Sequence, residues 1–501
     1  MQCETVSGAC IGVFKIGYGV FPIIGGHFTF SLAPGPPATH PFFTMSHRLL
    51  LLGAGRSASS LIQYLLRYAP QEGWLLTVAD VNPAHLAPVL AAHTEYARAI
   101  AFDIQNEEQL EELVAQADTV ISMLPALFHA VVARACVRHG CHLATASYVN
   151  DAIRELDAEA RQAGITLLME CGLDPGLDHM SAMQVIDEVR ERGGKLSSFK
   201  SYCGGLMAPD SEGDNPWKYK FTWNPRNVVL AGQGTAKYLE EGNLRFIPYQ
   251  QLFARAEELR VPGYGLFEGY ANRDSLSYRV PYGLDNIPTI LRGTLRRPGY
   301  CAAWQALVCL GLTDDSGPLG NPATMTWKEL ICSYLPAVPE PGSSIAELTA
   351  RHLELAYNSL EMQRLVWLGL FSDKPVGLPN ATPAQLLERL LTEKWQLEPT
   401  DHDMIVMQHL FEYELNGTHY QRTSSLVVLG DDSTHTAMAK TVGLPLGMAV
   451  RRLISGQLIQ RGVVIPTHQS LYEPILAELA SDYGIRFEEQ ETVATRSMLA
   501  G

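Results

Sequence analysis

The segment RLLLLGAGRSASSLIQYLL, which begins at Arg48, constrains the fold of this chain more than any other part of its sequence. Its four consecutive leucines, Leu49 to Leu52, are typical of a strand that is buried on both faces. A glycine turn follows, and the apolar residues between Leu61 and Leu66 recur at helical spacing. The segment therefore predicts a strand, a tight turn and a helix.

The alternation of strands and helices continues downstream. The runs WLLTVAD, RAIAFDI, ADTVISMLP, HLATASY and ITLLMEC read as strands, and amphipathic segments such as EEQLEELVAQA lie between them. Parallel strands need long crossover connections, which helices usually supply. The pattern predicts an α/β fold with a doubly wound parallel sheet of Rossmann type over residues 46–175.

The glycine turn carries the pattern GxGxxA. Its first glycine permits a tight turn, and its second lets the backbone approach a pyrophosphate at the N-terminus of the following helix. Because the turn lies between a predicted strand and a predicted helix, we interpret it as a dinucleotide site. The residues expected to contact the cofactor here are Gly53, Ala54, Gly55, Arg56, Ser57 and Ala58.

The acid at the end of the second strand, Asp80, bears on the choice of cofactor. A carboxylate at this point accepts hydrogen bonds from the ribose 2′-hydroxyl of NAD. The 2′-phosphate of NADP would meet a negative charge, and the segment DVNP that begins at Asp80 contains no arginine. The sequence therefore favours NAD, with a solvated loop acid as the alternative.

Other strand ends are expected to border the same crevice, because ligands of open α/β sheets bind beyond the carboxyl ends of the strands. Turn chemistry explains any single one of them equally well. The residues are Asp103, Ile104, Leu124, Ala146 and Ser147.

Charge and cysteine content exclude several function classes. The chain has 38 Lys and Arg residues against 53 Asp and Glu residues, a net charge of -15, and no long basic run. A nucleic-acid partner therefore lacks an electrostatic basis. The nine cysteines include no CxxC pair, which argues against a disulfide framework or a structural zinc site and favours a reducing cytoplasm.

The first 44 residues do not follow the α/β pattern. They contain many glycines and prolines, and no apolar run long enough for a membrane span or a signal-peptide core. We interpret residues 1–44 as a disordered or mis-assigned extension, and we expect neither a membrane partner nor a metal. In Asp401-His402-Asp403, adjacent side chains seldom converge on one ion, so a cap or turn is favoured.

The composition changes after residue 175. Residues 176–311 and 401–430 combine predicted strands and helices, whereas residues 312–400 read as helices alone. We predict a mixed α/β substrate domain interrupted by an all-helical insert, with the helices of about residues 431–490 packing back on the dinucleotide domain.

Arginines near aromatic segments indicate an anionic substrate, because guanidinium groups pair bidentately with carboxylates. The candidates are Arg273, Arg292, Arg296 and Arg297.

The turn GLDPGLDHM contributes two acids with different expected roles. Asp174 precedes Pro175, which favours an extended backbone that points off the strand end. Asp178 is expected to cap a helix. His129 and His179 lie near predicted helix starts, where a structural role is at least as plausible as a functional one.

Eight segments follow one another from about residue 48 onward: LLGAGRSASS, FDIQ, ISMLPALFH, TASYVNDAI, GLDPGLDHMSAM, KFTWNPR, YANRDSLSYR and RGTLRRPGY. Their order and combination resemble the glutamate-forming saccharopine dehydrogenases, or saccharopine reductases, of lysine metabolism. The resemblance implies a Rossmann domain, a mixed-sheet domain that also forms a homodimer, a helical insert and a nicotinamide dinucleotide cofactor.

The resemblance also implies roles for individual residues. Tyr148 or Asp174 would assist proton transfer at the substrate amine, although for Asp174 we favour attraction of the ammonium group. The implied substrate residues are Ser147, Tyr148, Asp174, Arg273, Thr294, Leu295 and Arg296. The implied cofactor residues are Ala54 to Ser57, Asp80, Val81, Asn82, Asp103, Ile104, Leu124, Ala146, Ser147, Leu173, Asp174, Pro175 and Thr222.

Two departures separate this chain from the fungal members. They carry a CRT-like turn that suits NADP, where this chain has Asp80-Val81-Asn82, so NAD stays favoured and NADP stays possible. They also have an aromatic residue after the proline of the LP pair, where this chain has Ala126, which bears on pocket size.

The implied reaction is hydride transfer at a secondary amine. Saccharopine is oxidised to an imine that water splits into L-glutamate and 2-aminoadipate 6-semialdehyde, or the reverse occurs. One alternative is a carboxynorspermidine-type or other opine-like dehydrogenase. With that substrate, the second guanidinium of the Arg273 and Arg296 pair would have less carboxylate to bind. Another is a non-catalytic NAD(H)-sensing protein, since a Rossmann fold specifies binding and not chemistry.

Overall fold

A computed structural model describes residues 47–336, 342 and 344–494 of the protein. The predicted extension of residues 1–44 lies outside this range. In the described part of the chain, no helix is both long enough and apolar enough to cross a membrane.

Six strands from the first part of the chain and one from its C-terminal segment form a seven-stranded parallel sheet, which confirms the predicted Rossmann-type α/β fold. Its strand order is β15-β6-β5-β4-β1-β2-β3. The strands are β1 (His47–Leu52), β2 (Trp74–Asp80), β3 (Ala97–Ala101), β4 (Thr119–Ser122), β5 (His142–Thr145), β6 (Thr166–Leu168) and β15 (Gly462–Val464).

Helices cover both faces of this sheet. Leu49 and Leu51 belong to the apolar core on one face, and Leu50 and Leu52 to the core on the other, as expected for a parallel strand. The helices of this part are α1 (Ser59–Glu72), α2 (Ala87–Leu90), α3 (Glu107–Ala115), α4 (His129–His139), α5 (Asp151–Arg154) and α6 (Asp157–Gln162).

The C-terminal segment contributes more than the helices expected from its sequence. Strand β15 pairs with β6 at the sheet edge, and Glu488–Val493 forms a further strand, β16, on a second sheet. The sequence pattern missed β15 because three residues are too few to show a periodicity. The segment's helices are α15 (Ala437–Ile454) and α16 (Gln469–Tyr483).

These helices contact the dinucleotide domain through polar bonds as well as apolar packing. The Tyr64 hydroxyl donates to Glu478 Oε1 at 2.7 Å, and Arg451 Nε donates to Glu72 Oε1 at 2.9 Å. Strand β15 and helix α15 thus attach the C-terminal segment to the sheet and to α1.

The second sheet has nine strands of mixed direction. Helix α7 (Leu177–Glu191) leads into its long strand β7, which pairs in parallel with β12 and antiparallel with β13. The strands are β7 (Lys195–Met207), β8 (Thr235–Glu240), β9 (Asn243–Pro248), β10 (Glu257–Val261), β11 (Gly265–Ala271), β12 (Thr289–Arg296), β13 (Asp403–Leu415), β14 (Thr418–Leu429) and β16.

Helices fill the chain between β12 and β13. In the described part of residues 312–400 the regular elements are helical, and the aromatic side chains Trp217, Tyr300, Trp304 and Trp395 pack where this segment meets the second sheet. The helices of the second domain are α8 (Pro225–Val229), α9 (Tyr249–Leu252), α10 (Tyr300–Cys309), α11 (Trp327–Tyr334), α12 (Ile345–His352), α13 (Leu360–Leu368) and α14 (Pro383–Lys394).

Candidate functional site

The glycine turn between β1 and α1 has the geometry of a pyrophosphate cradle. Gly53 has a φ of +88°, and a Cβ there would lie 3.1 Å from the backbone of Met123, so this position requires glycine. Gly55 is exposed, and a Cβ there would meet nothing within 4 Å. The residues present therefore fit a dinucleotide, because the turn leaves an open edge at the start of a helix.

Asp80 lies directly beside this turn. Its Oδ2 accepts a hydrogen bond from the Ala54 N–H at 2.8 Å, and its Oδ1 accepts one from the Asn82 N–H at 3.0 Å. The carboxylate therefore ties the end of β2 to the glycine turn. Val81, the next residue, is 76% exposed.

The other predicted cofactor residues follow the carboxyl ends of neighbouring strands. Because β1 lies between β2 and β4, the order of strands reverses at β1, and ligands of such sheets bind at that reversal. The strand order brings to this edge Asp103 and Ile104 after β3, Leu124 after β4, and Ala146 and Ser147 after β5.

Polar side chains converge on Asp174, which follows β6 with Leu173 and Pro175. Its Oδ1 accepts hydrogen bonds from the Tyr148 hydroxyl at 2.9 Å and from Arg292. Among the described residues, no donor to its Oδ2 is found. The two residues implied to act at the substrate amine are therefore in direct contact.

Burial affects the ionisation of both groups. It raises the pKa of Asp174, against the opposing charge of Arg292. Tyr148 is 48% exposed overall, but desolvation of its hydroxyl group and the negative charge of Asp174 raise its pKa. Tyr148 therefore keeps its proton at neutral pH and donates it to the hydrogen bond with Asp174.

The expected role of Asp178 as a helix N-cap is wrong. Helix α7 begins at Leu177, and Asp178 Oδ1 accepts the Gly176 N–H at 2.6 Å from inside the helix. Gly176 occupies the cap position, because its φ of +146° is one that side chains rarely adopt. The other oxygen of Asp178 accepts from Arg292 Nη2 at 2.7 Å, so Asp178 joins the group around Asp174.

Arg292 joins the two carboxylates. Its side chain is 4% exposed, against 1% for Asp178 and 17% for Asp174, and its Cζ lies 3.8 Å from the centre of the Tyr278 ring. A guanidinium this buried needs such partners. We call Tyr148, Asp174, Asp178, Tyr278 and Arg292 the Asp174 cluster. The sequence had offered Arg292 for substrate carboxylates, whereas the structure pairs it with acids of its own chain.

A buried ion pair lies next to the Asp174 cluster. His179 Nε2 contacts Glu170 Oε2 at 2.7 Å, and His179 Nδ1 contacts the Tyr282 hydroxyl at 2.8 Å. Burial acts against the charge of both groups. The hydrogen bond and charge of His179 nevertheless lower the Glu170 pKa, and the charges of Asp178 and Glu170 raise the His179 pKa. Sequence reasoning missed Glu170, whose only signal was its place after a strand.

We expect this pair to stabilise the fold in a limited pH window. The contribution of Glu170 is present above the ordinary pKa of about 4.3 and is lost as pH falls through its lowered folded-state pKa. That of His179 is present below about 6.5 and is lost as pH rises through its raised folded-state pKa. Glu170→Gln should lower the free energy of unfolding by about 3 kcal/mol between these two pH limits. The measurement is the Tm difference between wild type and variant across a series of pH values. A pH-independent Tm difference would contradict this.

Arg296 occupies a separate aromatic cage. Its Cζ lies 5.0, 5.2 and 5.8 Å from the ring centres of Tyr219, Tyr300 and Tyr270, and the residue is 4% exposed. Its Nη1 donates to the Leu295 carbonyl at 2.8 Å, and its Nε has no partner. Within the described ranges no carboxylate pairs with Arg296, so this guanidinium is chemically suited to an external anion.

The remaining predicted substrate residues differ in their surroundings. Thr294 donates to Asn272 Oδ1 at 2.7 Å, and Leu295 is fully buried. Arg273 is exposed, at the start of the loop that leads to Tyr278. Arg297, a candidate from sequence alone, pairs with Glu212 at 2.7 Å and is therefore already neutralised.

Two further polar side chains of this domain are buried, and one of them, Cys203, lacked a sequence signal. Cys203 on β7 is buried opposite Thr294; burial raises its pKa, and the charges of Asp174, Asp178, Arg292 and Arg296 also act on it. Thr222, an implied cofactor residue, is buried with an unpartnered Oγ1. Thr222 Oγ1 and Arg296 Nε are thus both buried without a hydrogen-bond partner.

A cavity of about 480 Å³ opens beside the Asp174 cluster. Tyr148 and Tyr278 line it, together with Glu170 and His179. Its size lies in the range of small-molecule sites. Two members of the Asp174 cluster, Tyr148 and Tyr278, therefore border a space large enough for a small ligand.

Residues singled out as doubtful in the sequence have local partners. His129 Nδ1 contacts Ser122 Oγ at 3.0 Å, and burial lowers its pKa to about 4. Asp401 pairs with Lys220, His402 with Asp210, and Asp403 accepts the Ala437 and Met438 N–H groups at the start of α15. Across the residues described, no group of three metal-ligating side chains is present.

Comparisons with known proteins match almost the whole described chain. The family model for the saccharopine dehydrogenase NADP binding domain matches residues 49–168, and that for the saccharopine dehydrogenase C-terminal domain matches residues 172–485. A "Saccharopine dehydrogenase [NADP(+), L-glutamate-forming]" of Schizosaccharomyces pombe is 37% identical over 88% of this chain and 98% of the relative.

Solved structures show the same relationship. The apo saccharopine dehydrogenase (L-Glu forming) from Saccharomyces cerevisiae superposes with a TM-score of 0.79, at 34% identity, over 89% of this chain and 100% of that chain. A homospermidine synthase from Legionella pneumophila in complex with NAD has a TM-score of 0.51 at 11% identity, over 89% of this chain and 91% of that chain. At that identity the second likeness shows the fold alone.

Proposed function

This chain belongs to the saccharopine dehydrogenase family, and we propose that it interconverts saccharopine with L-glutamate and 2-aminoadipate 6-semialdehyde in lysine metabolism. One structural observation carries the substrate assignment: Arg296 is a buried guanidinium with no carboxylate partner in the described chain, on the same strand as Arg292 of the Asp174 cluster. Saccharopine has three carboxylates and a secondary amine, which match a cationic and an anionic subsite.

The arrangement on β12 supports this division of roles. Arg292, Thr294 and Arg296 alternate along the strand and therefore project from the same face. Arg296 would bind a substrate carboxylate, and Asp174 would bind the cationic amine with the hydroxyl of Tyr148 beside it. Arg273, Ser147, Thr294 and Leu295 complete the proposed substrate site, with Arg273 as the exposed second guanidinium.

A nicotinamide dinucleotide, when bound, supplies the hydride acceptor or donor. The residues of this chain bind and orient the two ligands and hold a proton near the amine. At the proposed cofactor site, the glycine turn and Asp80 would hold the adenosine pyrophosphate half. Leu124, Ala146, Ser147, Leu173 to Pro175 and Thr222 would border the nicotinamide half.

We propose a preference for NAD, although the matched family model and the fungal relatives are named for NADP. Asp80 places a carboxylate next to the glycine turn, where the 2′-phosphate of NADP would be repelled. The wild type should have a kcat/KM at least about tenfold higher with NAD, because a like-charge contact costs several kcal/mol. Equal use of both cofactors would overturn this preference.

Substitution of Asp80 tests its cause. Asp80→Ala should narrow the difference between NAD and NADP, but it also removes the acceptor for the Ala54 N–H. Asp80→Asn keeps an oxygen acceptor and removes only the charge, so it is the matched variant. Steady-state kcat/KM with both cofactors is the measurement, and Tm reports whether the turn stays folded.

A spectrophotometric assay that follows the formation of reduced cofactor from saccharopine and oxidised cofactor tests the proposed activity. Turnover of carboxynorspermidine without turnover of saccharopine would favour the opine-like alternative, for which the unpaired Arg296 would have less to bind. Tight NAD(H) binding without turnover of any amino-acid adduct would favour a sensing role. Either outcome overturns the proposal.

We also propose a homodimer and a cytoplasmic location. The family resemblance supports the dimer, and exposed Leu244 and Phe246 on β9 offer apolar surface for it. Light scattering of the purified protein would show a monomer if this is wrong. The described cysteines, which are all free, are consistent with a reducing compartment.

A further inference from the structure

The groups around Asp174 do not balance in charge. The carboxylates of Asp174, Asp178 and Glu170 face the cations of Arg292 and His179. The other titratable groups that act on Asp174 or its partners are Tyr148, Tyr278, Tyr282, Cys203 on β7 and His409 on β13. Burial lowers the pKa of His409 to about 3, so His409 adds no positive charge. One negative charge is therefore in excess.

The excess charge lies at the member that a ligand can reach. Asp178 and Arg292 are almost completely buried, whereas the Asp174 side chain is 17% exposed and Tyr148 beside it lines the cavity. Of the two carboxylates that bind Arg292, Asp174 is therefore the one that a cation can reach. Burial of the excess charge is also consistent with the raised pKa of Asp174.

The two oxygens of Asp174 have different surroundings. Oδ1 accepts from Tyr148 and from Arg292 Nη2, whereas Oδ2 has no donor among the residues described. The same Nη2 also donates to Asp178 Oδ2, and Asp178 Oδ1 accepts the Gly176 N–H. Tyr278 stacks on the guanidinium. A chain of contacts from the α7 backbone therefore fixes the orientation of the Asp174 carboxylate.

We propose that Arg292 and Asp178 are positioning residues that hold Asp174 by Oδ1 and leave Oδ2, with one unbalanced negative charge, for the cationic nitrogen of a secondary-amine substrate. This assignment rests on the proposed function. Asp178 acts here through its charge and its bond to Arg292, and it need not touch the substrate.

Substitution of Asp178 by asparagine tests the assignment, because it preserves shape and removes the excess charge. The affinity of saccharopine for the complex of enzyme with reduced cofactor should fall by about tenfold or more. The acid limb of the kcat/KM profile for saccharopine should move to lower pH, since the nearby charge that raises the Asp174 pKa is gone. The Kd of the cofactor should not change.

Two further variants separate positioning from a merely structural role. Asp187→Asn removes another carboxylate of helix α7, one that pairs with Arg190 and Tyr472. This variant should leave the saccharopine affinity and the pH profile unchanged. Arg292→Lys keeps the charge but lacks the planar guanidinium that packs on Tyr278, so kcat should fall by about tenfold with unchanged cofactor Kd. This second variant also decides the matter if Asp178→Asn fails to fold.

The assay of the wild type distinguishes a failure of this assignment from a failure of the proposed function. The assignment alone would be overturned if the wild type turns over saccharopine and the folded Asp178→Asn and Arg292→Lys variants keep its saccharopine affinity, its kcat and its pH profile. A change in Tm without a change in these readouts would do the same. A wild type that neither binds nor turns over saccharopine would overturn the proposed function, and the assignment with it.

Discussion

Replacing Arg296 by glutamine should lower kcat/KM for saccharopine by about 100-fold, mainly through a higher KM. Arg296 is buried among Tyr219, Tyr270 and Tyr300 and has no carboxylate partner in the described chain. A desolvated ion pair with a substrate carboxylate is worth about 3 kcal/mol, and about 1.4 kcal/mol corresponds to a factor of ten. Glutamine keeps part of the side-chain volume but removes the charge.

The measurement is steady-state kinetics with saccharopine, together with the cofactor Kd and Tm. The cofactor Kd should not change, because all of the predicted cofactor residues except Thr222 end or follow strands of the parallel sheet. Arg297→Gln provides a contrast, since Arg297 is paired with Glu212 and its loss should affect Tm more than KM. A wild-type KM for saccharopine in folded Arg296→Gln would rule out the proposed carboxylate site.

Replacing Asp174 by asparagine should reduce kcat by about 1,000-fold, which is within the range for loss of a group that handles a proton or stabilises a cation. Asp174 accepts the Tyr148 hydroxyl and Arg292 through Oδ1, and asparagine removes the charge that faces the substrate amine. Tyr148→Phe should lower kcat less than Asp174→Asn does, by about tenfold to 100-fold.

The pH profile provides an independent check on Asp174. Burial raises its pKa, so the acid limb of wild-type kcat/KM should lie above the ordinary aspartate pKa of about 3.9. Activity should therefore be lost as pH falls through that raised value, because the protonated acid no longer attracts the amine. The limb should be absent in Asp174→Asn. An unchanged limb in that variant would assign it to another group.

Stability and function are linked in this region. The Asp174 cluster and the Glu170–His179 pair are buried ionic groups. Removal of one partner leaves an uncompensated buried charge, which strongly lowers the free energy of unfolding. Substitutions here must therefore be read with Tm and cofactor affinity beside the kinetics. Asp178→Asn and Glu170→Gln are informative because they keep shape and change one charge.

The dinucleotide half of the protein followed closely from local patterns. The leucines of β1, the GxGxxA turn and Asp80 occupy the positions expected of them, because a buried strand and a tight turn are specified by a few neighbouring residues. The seven-stranded parallel sheet confirms the predicted fold class. Strand β15 escaped prediction, since its three residues gain their structure only by pairing with β6.

The substrate half depended on contacts across long separations in sequence. The pattern around Pro175 suggested one functional and one structural acid, but Arg292, more than a hundred residues away, contacts both Asp174 and Asp178. Likewise, the four candidate arginines are alike in sequence. Burial and partners distinguish them: Arg292 binds two acids, Arg297 binds Glu212, Arg296 lies unpaired in an aromatic cage, and Arg273 is exposed.

Periodicity and turn chemistry were thus sufficient for the α/β class, the glycine turn and the acid beside it, because each arises from residues that are close in the chain. Tertiary packing alone decided the partners of each charged side chain, since the cost of burying a charge depends on which groups the fold brings within a few ångströms of it. The paired Asp174 and the unpaired Arg296 are both consequences of where β12 lies against β7 and α7.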